Sequence, residues 1–188
     1  NKLDAVVSID TSTAAVIRES ATKGASLIND VRALQREGAI VAVAETNLPV
    51  CLMHMQGQPS TMQINPDYGD VVLDVRHFLT ERVNACLAHG IARERIILDP
   101  GFGFGKTLAH NLALLQRLPE FGDLGFPLLV GMSRKTMLAQ LLNRTVDERL
   151  PGSLALAMLA AQRGAAIIRV HDVAATIDVL QVLAAATD

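Results

Sequence analysis

Ile96-Ile97-Leu98-Asp99-Pro100-Gly101-Phe102-Gly103-Phe104-Gly105-Lys106-Thr107 holds the unit from which the fold can be read. A short apolar run ends on a carboxylate, a glycine-rich loop follows, and the residues from Leu108 to Leu118 then take up helical periodicity. The loop resembles two phosphate-binding patterns and fits neither. G-x-x-x-x-G-K-[ST] would need glycine where Pro100 stands, and G-x-G-x-x-G fails because the glycines fall at every second residue. What remains is a strand that delivers Asp99 to a loop whose backbone can approach a ligand closely, with Phe102 or Phe104 as an aromatic face. Aromatic residues make up only 3% of the chain, so two phenylalanines in one loop stand out. The plainer alternative is a structural glycine turn beside a helix-capping aspartate.

The same alternation recurs along the chain. Strand candidates are residues 6–10, 26–30, 50–54, 96–99, 128–131 and 166–171, each closing on a residue that can do chemistry. Helices are expected between them. Thr11-Ser12-Thr13 can cap a run to Lys23, Asp70 can start one through Ala88, and others cover residues 108–118, 134–142, 153–163 and 173–186. Gly24, Gly90 and Gly164 act as stops, and residues 56–69 form the one long loop. About six βα units permit either an open doubly wound sheet or a (β/α)₈ barrel. The polar strand ends decide for the barrel, because it gathers every such end on one rim, whereas an open sheet gathers few beside its switch point. A barrel typically needs about 250 residues and eight units, so the expectation is an N-terminally incomplete TIM barrel, a single domain over residues 1–188 that lacks two leading units. The absence of an initiator methionine agrees with that.

Composition narrows the function. Lys+Arg 17 against Asp+Glu 19 gives a net charge of −2, which recommends neither nucleic acid nor an anionic membrane as partner. No apolar run approaches the ~20 residues of a membrane span, and Asn1-Lys2-Leu3-Asp4 lacks the features of a signal peptide. Cys51 and Cys86 have no metal spacing and read as buried free thiols in the cytoplasm.

Two further stretches carry chemistry. In Leu129-Val130-Gly131-Met132-Ser133-Arg134-Lys135 a strand ends in a hydroxyl and two cations. They are either a solvated helix start or ligand groups, and the helix dipole disfavours positive charge there, which invites a functional reason. In Arg169-Val170-His171, strand alternation sends Arg169 and His171 to one face and Val170 to the other. A guanidinium fork beside an imidazole suits a phosphate. The alternative is a salt bridge from Arg169 to Asp172 and a histidine satisfied by backbone. Asp10 and Asn29 alone would be turn formers. His54 reads as core or pocket lining and takes no metal, because no partner stands at a zinc spacing. His77, His89 and His110 read as structural.

Taken together, Ser8-Ile9-Asp10-Thr11-Ser12, Ile28-Asn29-Asp30, Cys51 through Gly57, Leu98 through Lys106, Val130 through Lys135 and Ile168 through Asp172 resemble the dihydropteroate synthase family from end to end. The D-P-G-F-G-F-G-K and G-x-S-R-K stretches are the most specific. The resemblance implies a (β/α)₈ barrel that condenses 6-hydroxymethyl-7,8-dihydropterin pyrophosphate with p-aminobenzoate, giving 7,8-dihydropteroate and pyrophosphate in folate biosynthesis. It implies a pterin on Asp10, Asn29, Met53, Asp99 and Lys135, and a pyrophosphate on Arg169, Val170 and His171. It implies p-aminobenzoate at Phe104 and Thr136, and catalytic roles for Lys135, Arg169 and His171. Mg²⁺ is the implied cofactor, sulfonamides the implied inhibitors and a homodimer through the C-terminal helices the implied assembly. The family's Mg²⁺-binding Asn and its Thr-Arg segment have no counterpart in these residues, so no metal ligand is expected here and little synthase activity from the fragment alone. Two rival readings are a corrinoid-dependent, pterin-binding methyltransferase domain, which has no need of a pyrophosphate site, and a catalytically silent pterin-binding module.

Overall fold

The computed structural model describes residues 5–58 and 61–187. Asn1-Lys2-Leu3-Asp4, Pro59 and Ser60 of the long loop, and Asp188 lie outside the described residues. The strands are β1 (Ser8–Asp10), β2 (Leu27–Asp30), β3 (Val50–Met53), β4 (Ile96–Asp99), β5 (Leu129–Val130) and β6 (Ile167–Ile168). All pair in parallel, in the order β1-β2-β3-β4 and β5-β6, and a Leu98–Leu128 bridge joins the two sets. Each strand thus lies beside its predecessor in sequence, and the order never reverses. A doubly wound sheet must reverse at its switch point, so the winding is that of a (β/α)₈ barrel, present as six consecutive strands.

The helices are α1 (Ala14–Thr22), α2 (Ala39–Ala44), α3 (Val71–Ala88), α4 (Leu108–Gln116), α5 (Pro119–Gly122), α6 (Thr136–Leu142), α7 (Leu150–Gln162) and α8 (Val173–Thr187). Asp70 caps α3 as expected, accepting from the Val72 and Leu73 amides at 2.9 and 3.1 Å. The cap of α1 differs. Thr13 stands at its N-cap without a side-chain capping bond, its hydroxyl accepting from Arg36 at 3.4 Å, and the Ser12 hydroxyl is drawn to buried Asp30, which also accepts from the amides of Arg32 and Leu34 at 2.9 Å each. Two helices are additional and two others start elsewhere than expected. α2 and α5 are additional, the first being an apolar run too short for its periodicity to show. α6 starts at Thr136 and not Arg134, whose φ of +58° takes it out of the helix. α7 starts at Leu150 and not Ser153, because proline at Pro151 is compatible with a first helical turn.

Strand alternation divides the side chains into two populations. Ile28, Val50, Leu52, Ile96, Leu98, Leu128 and Val130 face the helices and pack with Ile17, Val43, Val72, Leu79, Leu114, Leu138 and Leu156 in one core. The other face carries Asp10, Asn29, Cys51, Met53 and Asp99. The core therefore lies between sheet and helices, while the inner side is left to polar groups. Both cysteines are free and buried. Among the described residues no helix is long and apolar enough to cross a membrane.

Leu98 is fully buried at the joint between the two strand sets, whereas Leu73 on α3 is 55% exposed. Leu98→Ala should lower the unfolding free energy by roughly 2–5 kcal/mol and Leu73→Ala by no more than about 0.5 kcal/mol. Urea denaturation giving equal losses for the two would contradict this placement of the core.

Candidate active site

The register places Asp10 beside Asn29 and Met53 beside Asp99 on neighbouring strands. The Asn29 amide donates to Asp10 Oδ2 at 3.2 Å. Its own side-chain oxygen meets no donor among the described residues, although Asn29 is only 2% exposed. A buried acceptor left unpaired costs about 1–3 kcal/mol, so Asn29 Oδ1 is an acceptor suited to a donor-bearing ligand. Asp99 is 1% exposed. Its Oδ1 accepts from the Gly101 amide at 2.7 Å, and its Oδ2 lies 4.0 Å from the Arg169 guanidinium. Burial pushes the Asp99 carboxyl up, against the opposing pull of Lys135, the Gly101 amide, Arg169 and Lys106.

Lys135 is drawn down to about 8 by burial, with Asp99 opposing and Arg169 assisting. Its ammonium donates to the Phe102 carbonyl and stands 4.5 Å from the centre of the Phe104 ring. Cys51 lies among these groups. Burial raises its thiol well above the ordinary range, Asp99 and Asp10 add to that, and Arg169 opposes. The register sets Cys51 beside Asn29 of β2, two residues before Met53 on the same face of β3.

Beyond β6, Arg169 and His171 each contact the segment that follows β5. The Arg169 guanidinium lies against Gly131, where an added Cβ would stand 3.1 Å from its nitrogens. His171 is held by Ser133, whose hydroxyl meets Nδ1 at 2.9 Å and accepts from the His171 amide at 3.3 Å. The expected pair of cations divides. Arg134 forms a two-pronged ion pair with Asp172, at 2.6 and 3.0 Å, and only Lys135 turns inward. Asp172 is therefore engaged by Arg134 and not by Arg169, whose side chain remains 41% exposed. Val170 lines the seam against α7 together with Ile168, Val130 and Ala157.

The glycine-rich loop closes the site on the β4 side. A Cβ at Gly101 would stand 1.8 Å from the His54 carbonyl oxygen, and at Gly105 2.6 Å from that of Gln56, both at positive φ, so glycine alone fits either position. Beside this loop a cleft of about 610 Å³ is lined by Gly103, Phe104, Asn111, Lys135, Thr136 and Gln140. Phe104 and Thr136 thus meet across one space, with Lys135 at its inner end. Sequence reading passed over Asn111, whose Oδ1 accepts from the Gly103 amide at 2.7 Å, and the tether of His171 by Ser133. For Ser133 the signal was present, a hydroxyl two residues beyond one strand end. For Asn111, within a helix, there was none.

The same residues carry the likeness to known proteins. The family model described as pterin binding enzyme matches residues 1–171. The chain belongs to that family. As a pterin binding enzyme it is 57% identical over 179 residues to dihydropteroate synthase of Escherichia coli (strain K12), covering 95% of this chain and 64% of the relative. The Yersinia pestis dihydropteroate synthase structure with a sulfonamide drug complex superposes with a TM-score of 0.96 at 54% identity, covering 98% of this chain and 68% of that one. The Xanthomonas albilineans enzyme in complex with 7,8-dihydropteroate gives 0.93 at 46%, covering 98% and 70%. The chain spans just under two thirds of the length of the Escherichia coli relative.

His54, just past the end of β3, is buried with its ring edge-on to Phe78 at 4.9 Å. Burial, and then the Lys106 ammonium, lower it to about 3 from the ordinary 6.5. Between those values the unfolded chain binds the proton and the folded one does not. The contribution of neutral His54 is therefore complete above about 6.5 and is lost as pH falls toward about 3. Denaturant titrations from pH 7 to pH 4 should show a decline that His54→Gln makes shallower; parallel pH curves for the two proteins would refute it.

Proposed function

We propose that this chain carries the pterin pocket and the pyrophosphate-facing cations of a dihydropteroate synthase. The reaction joins 6-hydroxymethyl-7,8-dihydropterin pyrophosphate to p-aminobenzoate and gives 7,8-dihydropteroate and pyrophosphate. The observation that carries this reading is the pair of buried acceptors at the base of the site: Asn29 Oδ1, which meets no donor among the described residues, and Asp99 Oδ2, with the Arg169 guanidinium 4.0 Å away. A pterin presents an edge of N–H donors that such acceptors match, while Lys135 can donate to the ring's carbonyl and nitrogen acceptors. Met53 supplies an apolar wall, and Asp10 acts by holding Asn29. The names of the relatives agree, and so do the sulfonamide and 7,8-dihydropteroate in the two related structures.

In the proposed reaction the bond between the pterin methylene and the pyrophosphate oxygen breaks, leaving a cation stabilised by the ring. The aniline nitrogen then attacks the methylene, forms the new C–N bond and releases a proton. Arg169 stabilises the charge that develops on the departing pyrophosphate, and His171, fixed by Ser133, donates a hydrogen bond to it. The exposure of Arg169 suits this role, because its fork is not committed to Asp172. Phe104 and Thr136 flank the p-aminobenzoate, and a sulfonamide would compete for that cleft. Mg²⁺ would, if bound with the substrate, offset the charge of the pyrophosphate. Among the described residues no three His, Cys, Asp or Glu side chains gather into a metal cage. The proposal extends to a homodimer across α7 and α8, where Ile177 and Val182 are exposed and Leu180 and Leu183 line an apolar groove. The two free thiols suit a reducing compartment such as the cytoplasm.

Calorimetric titration with the pterin pyrophosphate, followed by p-aminobenzoate with Mg²⁺ and an assay for released pyrophosphate, tests the reading. Binding without release would favour a silent module. Asp99→Asn should weaken pterin binding by about 10–100-fold, the equivalent of roughly 1–3 kcal/mol. Arg169→Met should erase the preference for the pyrophosphate ester over the plain hydroxymethyl pterin; an undiminished preference would count against the pyrophosphate site.

A further inference from the structure

Lys106 brings an amine into the protein where no carboxylate contacts it among the described residues, and burial draws it down to about 7, with Asp99 opposing and Lys135 assisting. The residue is 4% exposed, and its ammonium lies 2.9 Å from the Gly101 carbonyl, 3.0 Å from the Phe104 carbonyl and 2.9 Å from His54 Nδ1. An ammonium has three N–H donors and no acceptor. Here each donor has one acceptor, two of them from a single loop. While the lysine is charged, His54 therefore offers a lone pair at Nδ1, which makes it neutral with its proton on Nε2. That agrees with the strong downward shift of this histidine.

The arrangement sets which way each carbonyl of the loop points. Those of Gly101 and Phe104 turn in to Lys106, while those of Phe102, Gly103 and Gly105 turn to Lys135, Gln63 and the Tyr68 hydroxyl respectively. With three glycines at positive φ, Gly101, Gly103 and Gly105, the loop has little preference of its own among backbone conformations. The shape that sets the Phe104 ring 4.5 Å from the Lys135 ammonium, on the wall of the cleft with Thr136, needs an internal tie. Burying an ammonium without a counter-ion is unfavourable, and a side chain serving only to fill space would be better apolar.

We propose that Lys106 is a positioning residue for the second-substrate side of the site: its ammonium, seated on neutral His54, holds residues 101–105 in the conformation that presents Phe104 to the cleft. The reference to a second substrate rests on the p-aminobenzoate reading given above; the tie to the loop does not.

Lys106→Met keeps the length of the stem and removes all three donors. Amide hydrogen exchange read by mass spectrometry should show residues 100–107 exchanging at least about tenfold faster than in the parent protein, with β4 and α4 unchanged. In calorimetric titrations p-aminobenzoate or a sulfonamide should bind at least about tenfold more weakly, and the pterin within about threefold of the parent value. ¹⁵N spectra of the parent His54 ring should show an unprotonated Nδ1 and a protonated Nε2 through the neutral pH range.

His54 supplies a second route should Lys106→Met fail to fold. His54→Gln retains an oxygen acceptor for the ammonium and should keep the loop protected, whereas His54→Leu removes it and should loosen the loop. Unchanged loop exchange in Lys106→Met or His54→Leu, or a protonated Nδ1 in the parent, overturns the proposal. Loop loosening in a protein whose parent binds neither ligand would support the tie and reject the synthase reading instead.

Discussion

A strand that points successive side chains in opposite directions has to satisfy two environments at once, and everything in this protein follows from how its strands do so. Ile28, Leu52, Leu98 and Val130 are committed to the core beneath the helices. Asn29, Met53 and Asp99, their immediate neighbours, are thereby turned inward. No strand could slip by one residue without exchanging these sets and burying carboxylates in hydrocarbon. The parallel register that secures the core is thus the same constraint that assembles the site.

Within the site, burial outweighs pairing. Asp99 is pushed up and Lys135 drawn down, each toward its neutral form, although each is the other's chief opposing influence. Two opposite charges that attract one another while both remain short of water leave a site whose hydrogen-bonding capacity is only partly used. Asn29 adds a neutral acceptor in the same condition. Such a set is better satisfied by a planar heterocycle with alternating donors and acceptors than by solvent ions.

The six strands and their polar ends were legible because each combined a short apolar run with a group out of place in a core. The barrel was legible because so many such ends require a common destination. The division of labour between Arg134 and Lys135 was not, because two adjacent cations look alike in sequence, and only a left-handed turn at Arg134 with Asp172 nearby separates them. The seat of Lys106 on His54 and the pull of Asp30 on Ser12 join residues on different elements, and such pairings have no local signature. The short α2 was missed because helix and strand readings of so brief an apolar run are equivalent.

The ion pair between Arg134 and Asp172 joins the chain segment after β5 to the one after β6, and both partners remain partly open to water. Mobile ions can screen it, whereas they have little access to the nearly enclosed Asp99. Raising ionic strength therefore acts unevenly: it slackens the brace between the segments that carry Lys135 and His171 while leaving the field around Asp99 almost intact. Salt in the surrounding medium becomes a handle on the geometry of one side of the site, separable from its recognition chemistry.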